Sequence, residues 1–151
     1  MASLIDTNIL VYRYDDRFAE KQLLATALLR AGLIENSIRI PHQALMEFMA
    51  VVTRVQIRAP AQKGNVEKRP ILTADDARRE VEELLSTMPI LYPDAAMFRT
   101  ALRGAAAYHL PWFDAHLWAY AEHYGLDELV SEDFEHGRLY GSVRVRNPFL
   151  E

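Results

Sequence analysis

The stretch Ala2-Ser3-Leu4-Ile5-Asp6-Thr7-Asn8-Ile9-Leu10 runs apolar, breaks at a carboxylate and two small polar residues, and turns apolar again at once. A strand buried on both faces in a parallel sheet reads this way. Asp6 then stands at the strand's carboxyl end, where open α/β sheets bind their ligands. The alternative is that Asp6 or Thr7 simply caps the following helix. The acids farther along the chain decide between them.

From Arg17 to about Ile34, Leu23, Leu24, Ala27, Leu28 and Ala31 recur at helical spacing, with Gly32 as a fitting terminator. Ser37-Ile38-Arg39-Ile40 alternates as a strand, and Pro41 suits the first turn of the next helix. That helix, His42 to about Ile57, sets Ala44, Glu47, Phe48, Val51, Val52 and Val55 on one face. Glu47 is the single polar member of an apolar stripe, and a buried carboxylate is usually paired or binds metal. Its other reading is a residue at the stripe's margin, reaching water or an arginine.

Between Arg54 and Pro70 the periodicity dissolves around two prolines and a glycine. Arg54, Arg58, Lys63, Lys68 and Arg69 stand there against Glu67, a net +4. Such a run is either a solvated loop or the place where an acidic protein touches a phosphate backbone. Thr73-Ala74-Asp75-Asp76 starts another helix, and Ile90-Leu91-Tyr92 is a short strand with prolines on both sides, as at a sheet edge. An alanine-rich helix spans Asp94 to Tyr108. Leu110 to Asp114 reads as a loop into a helix over Ala115 to Tyr124, closed by Gly125. Asp114 begins the core-facing stripe of that helix. Leu129-Val130-Ser131 is a strand followed at once by Glu132-Asp133, and Val143 and Val145 mark a last strand.

The 151 residues form one ordinary domain, half of them hydrophobic and a quarter charged. Zero cysteines exclude disulfides, thiolate metal sites and a cysteine nucleophile, and fit a reducing cytoplasm. No signal peptide or membrane span is expected. The net charge of −4 leaves room for a nuclease only if its basic residues are grouped.

Strands alternating with helices predict a three-layer α/β/α fold with a mostly parallel central sheet of about five strands. In such a sheet Asp6, Glu47, Asp114 and Asp133 converge on one rim. Unit charges 4 Å apart repel by about 4 kcal/mol at an effective dielectric near 20, so the cluster makes sense around a hard cation. Oxygen-only ligation points to magnesium or manganese. The five histidines read as structural or surface residues, His116 being the one worth testing, and Trp112, Phe113, Trp118 and Tyr120 read as core in preference to base-stacking platforms.

Leu4-Ile5-Asp6-Thr7-Asn8, the mid-helix Glu47, Phe113-Asp114-Ala115 and Leu129-Val130-Ser131-Glu132-Asp133-Phe134 resemble the motifs of PIN-domain ribonucleases. The ending, with Glu135-His136-Gly137 and Gly141 to Phe149, is similar to the VapC-like toxins of toxin–antitoxin pairs. The resemblance implies a magnesium- or manganese-dependent endoribonuclease. On the matching positions Asp6, Glu47, Asp114 and Asp133 are metal-binding and catalytic, with Thr7, Asn8 and Ser131 in support. It also implies an RNA substrate, a cognate antitoxin and a homodimer.

Three rivals come from other classes. A phospho-acceptor receiver domain needs an acceptor aspartate after its third strand, where Asp94 fits loosely, and a lysine after its fifth, where Arg144 and Arg146 stand. A haloacid-dehalogenase-type phosphatase needs a second aspartate two residues after Asp6, where Asn8 stands. A non-catalytic module that only binds a partner is the third.

Overall fold

The computed structural model describes residues 1–61 and 65–150, with side chains described outside 56–67. β1 (Ser3–Ile5) leads through α1 (Thr7–Tyr12) and α2 (Ala19–Glu35) to β2 (Ile38–Pro41) and α3 (His42–Val52). A hairpin of β3 (Gln56–Ala61) and β4 (Asn65–Arg69) follows, then α4 (Ala74–Thr87), β5 (Ile90–Leu91), α5 (Ala95–Tyr108) and α6 (Trp112–His123). The chain ends with β6 (Glu128–Val130), β7 (Leu139–Tyr140) and β8 (Val143–Arg146).

The main sheet has six strands in the order β5-β2-β1-β6-β8-β7. Only β7 runs antiparallel to its neighbour, so the sheet is mostly parallel, with one strand more than expected. From β1 the chain winds outward to β2 and β5, then returns to β6 on the other side of β1. The carboxyl end of β1 is therefore the topological switch point, where such sheets open a crevice.

Side chains alternate across the sheet, as the two-residue period of a strand requires. Ile5 and Val130 pack with α1, α2, α3 and α4, while Leu4 and Leu129 pack with α5 and α6. Both faces are covered, which gives the three expected layers. Glycines set two close approaches. A Cβ on Gly32 would lie 2.4 Å from Ile38 Cγ2, and one on Gly104 would lie 2.2 Å from Trp118 Cζ3.

Several elements differ from the sequence reading. α2 turns Ala25, Leu29 and Gly32 inward and leaves Leu23 75% and Leu24 37% exposed, so its buried stripe is offset from the leucine-rich one. Gly32 does not end the helix, because its missing side chain serves packing against Ile38; Asn36, left-handed at φ 53°, ends it. α3 stops at Val52, which leaves Val55 63% exposed. α6 starts at Trp112, so Asp114 stands inside its first turn. The stretch after Arg54 is a pair of antiparallel strands, which its proline and clustered basic residues hide from a reading by apolar period.

Candidate active site

β1 and β6 lie side by side with Ile5 opposite Val130, so the chain leaves the sheet at Asp6 and Ser131 as neighbours. The Val130 carbonyl still accepts from the Asp6 N–H at 3.1 Å. Ser131 Oγ then donates to Asp6 Oδ2 at 2.6 Å and accepts from the Asp133 N–H at 3.1 Å. The other oxygen of Asp6 accepts from the Thr7 N–H at 2.6 Å, and Asp6 is the N-cap of α1. Capping and rim placement meet in one carboxylate.

α1 supplies two more tethers. Thr7 Oγ1 donates to Glu47 Oε2 at 2.8 Å, and Asn8 Nδ2 donates to Asp133 Oδ2 at 2.8 Å. Glu47 is half-buried on α3, one turn beyond Gln43, whose Nε2 donates to Glu47 Oε1 at 2.8 Å. Residues four apart share a helix face. Among the described residues no lysine or arginine pairs with Glu47, so the arginine alternative falls away. The next acid, Glu132, is turned aside: Lys21 Nζ bonds it at 2.7 Å and the Tyr12 hydroxyl donates to it.

The carboxylates shift one another. Burial, then the charges of Asp133 and Glu47, push Asp6 up to about 7, against the hydrogen bonds from Ser131 and Thr7. Burial also raises Asp114, and Asp133 and Glu47 add to it. Asp133 is raised by burial first and then by Glu132 and Glu47, while Asp6 and Asn8 hydrogen bonds hold it down. Asp133 and Glu47 thus act on both Asp6 and Asp114, which links the four acids, with Thr7, Asn8 and Ser131 bonded to three of them.

A divalent cation fits this set by its chemistry, an all-oxygen group of acids with no described basic partner. Among the described residues no three histidine, aspartate or glutamate side chains form a ready-made cage. Magnesium does not require such a cage, since it keeps several waters and takes one or two carboxylates.

Arg54, Lys68 and Arg69 are exposed, and Arg69 reaches Asp16 at 3.7 Å. Lys63 lies outside the described residues, as does the side chain of Arg58. Asp94, the acceptor a receiver domain would need, caps α5 through the Met97 N–H at 2.8 Å and stands outside the acid cluster.

A model of the PIN domain family matches residues 3–141. The chain belongs to the PIN domain family. Among solved structures, this PIN domain is similar to VapBC2 from Rickettsia felis bound to a DNA fragment from their promoter, at TM-score 0.66 and 15% identity, covering 97% of this chain and 98% of that one. A toxin–antitoxin complex from Klebsiella pneumoniae gives TM-score 0.63 at 20% identity, over 97% and 98% of the two chains. VapC20 from Mycobacterium tuberculosis, a sarcin-ricin loop cleaving toxin, gives 0.59 at 13% identity, over 87% and 90%. At these identities the likeness is one of fold. No curated protein matches the chain by sequence. Among the described residues no helix of this PIN domain is long and apolar enough to cross a membrane.

The sequence reading missed one participant. Gln43 is buried and orients Glu47, and its place four residues before Glu47 was the available signal. Phe113, read as core, is 70% exposed, because α6 begins before it and its first turn reaches solvent. His116 is the histidine that counts: Nδ1 lies 2.6 Å from Gln43 Oε1, and burial lowers its pKa. The others do structural work, as His136 does when its Nδ1 accepts from the Asn147 N–H at 2.9 Å.

Proposed function

We propose that this PIN domain is an endoribonuclease that hydrolyses RNA phosphodiester bonds with magnesium or manganese at Asp6, Glu47, Asp114 and Asp133. One observation carries the reading: four acids from four segments gather at the sheet's switch point with no described basic partner, and burial first, then their neighbours' charges, raise three of them. When bound there, a divalent cation would lower the pKa of a water and neutralise charge developing on the phosphate. The chain's own residues hold the acids in place. Ser131 and the Thr7 N–H fix the two oxygens of Asp6, Thr7 and Gln43 fix those of Glu47, and Asn8 steadies Asp133. The test is RNA cleavage by purified protein with magnesium or manganese against excess chelator. Full activity in chelator sinks the assignment.

By likeness of fold to chains from toxin–antitoxin complexes, the protein acts as the toxin of such a pair, in the cytoplasm, as a homodimer held by a cognate antitoxin. A short upstream reading frame whose product relieves growth arrest on coexpression supports this, and light scattering checks the dimer.

The hairpin stem is the proposed backbone contact. Replacing Lys68 and Arg69 with glutamine weakens RNA binding and lowers the slope of log K against log salt by roughly 1–2. Unchanged affinity and slope would leave the stem a solvated surface.

A further inference from the structure

A largely apolar cavity of about 360 Å³ opens between α3, α6 and the start of α5. Three rings bunch along it: Phe98 stands 5.1 Å from Trp112 and 6.2 Å from His116, centroid to centroid. Phe113 lines it too, although 70% exposed. Glu47 joins this cavity to the acid cluster, since Oε2 is bonded to Thr7 among the acids and Oε1 to Gln43 at the cavity.

The hydrogen bonds fix what the cavity offers a ligand. Gln43 Nε2 donates to Glu47 Oε1 at 2.8 Å and to the Phe113 carbonyl at 3.0 Å, and both of these groups only accept. The amide oxygen of Gln43 therefore faces His116 Nδ1, 2.6 Å away. That oxygen also only accepts, so Nδ1 carries the proton. In the neutral ring Nε2 is then an acceptor, and no described residue bonds to it. Aromatic walls with a lone acceptor, beside acids suited to a phosphate-bound cation, match an unstacked base. Single-stranded RNA is read by stacking bases on aromatic rings and bonding their edges. An apolar side chain of a partner protein would leave Nε2 unmatched.

We infer that this cavity is a nucleobase subsite, taking one unstacked base next to the phosphate at the carboxylates, stacked on Phe113 and donating an N–H to His116 Nε2. The inference rests on the ribonuclease reading.

Two measurements test it, both at pH 8. In the first, AMP, CMP, GMP and UMP are titrated into the protein in magnesium buffer while tryptophan fluorescence is followed. At least one quenches saturably. Trp112→Phe abolishes the quench and leaves Trp118 emission, Phe113→Ala weakens binding about tenfold, and Phe113→Tyr restores it. In the second, cleavage sites in a mixed-sequence RNA are mapped. Wild type shows a base preference at one position beside the cut, which Phe113→Ala and His116→Phe flatten. Phe113→Ala also raises KM about tenfold with kcat within about threefold. If wild type cleaves RNA but both variants keep its preference and KM, the subsite is wrong and the nuclease reading stands. Quenching that depends on Phe113, in a protein that cleaves no RNA, keeps the base site and removes the nuclease. No quenching with any nucleotide, or a dimer that falls apart in Phe113→Ala, overturns the subsite in favour of a protein contact.

Discussion

Asp6→Asn and Asp114→Asn each lower RNA cleavage by roughly a thousandfold while the far-ultraviolet circular dichroism spectrum stays native. The size follows from what the carboxylates are proposed to hold: a cation contributes several kcal/mol of transition-state stabilisation, and about 1.4 kcal/mol is a factor of ten. The fold survives because neither change removes packing. Asp6 is buried, but its amide replacement can still accept from the Thr7 N–H, and Asp114 is only half-buried on a first turn. Glu132→Gln is the matched control. It neighbours Asp133 in sequence, yet Lys21 and Tyr12 hold it, so cleavage stays within a few-fold. Equal losses in all three variants would show that charge alone, and not these particular acids, supports activity. Undiminished cleavage in Asp6→Asn would remove the proposed site.

The sheet and the acids were legible because both rest on strong local signals. Leu4-Ile5 and Leu129-Val130 are apolar on both faces, which only a strand covered on both sides requires, and each is followed by a polar break at the rim. Glu47 stood out because nothing else polar shared its stripe. What stayed hidden depended on tertiary contact. The buried face of α2 is chosen by where Ile38 needs room, so a glycine faces inward and Leu23 outward. The hairpin was hidden because Pro60 interrupts its first strand and Val66 is the one apolar residue of its second. Gln43 is an ordinary helical residue until Glu47 and His116 lie on either side of its amide. Asp6 as a cap and Asp6 as a rim acid do not exclude each other, because the two oxygens of one carboxylate serve both.

Metal-free Asp6→Asn protein is expected to melt above wild type at pH 8, by about 4–8 °C. Burial and the neighbouring acids raise Asp6 in the folded state to about 7 from its ordinary 3.8. A raised folded-state pKa means the unfolded chain gives up this proton first, so the ionised group penalises folding fully above pH 7. The penalty shrinks as pH falls from 7 toward 3.8 and is gone below that. At about 1.4 kcal/mol per unit it is on the order of 4 kcal/mol. The amide escapes it but gives up the charge-assisted bond from Ser131, which leaves a gain of about 2 kcal/mol. For a domain of this size that is the stated shift in Tm. His116, lowered by burial, acts in the opposite direction once pH drops below its ordinary 6.5. Asp114 and Asp133, also raised, act in the same direction as Asp6, so absolute stability mixes several groups, and the difference between variant and wild type isolates Asp6 with its coupling to its neighbours. That difference should close as the melts are repeated from pH 8 down to pH 4. Magnesium should raise the Tm of wild type by binding the native state preferentially, and raise that of Asp6→Asn far less. If Asp6 serves only as a helix cap, both effects vanish, because asparagine caps about as well as aspartate and magnesium has nothing to bind. A variant that melts no higher than wild type in chelator, beside a wild type indifferent to magnesium, would reduce the four acids to separate structural residues.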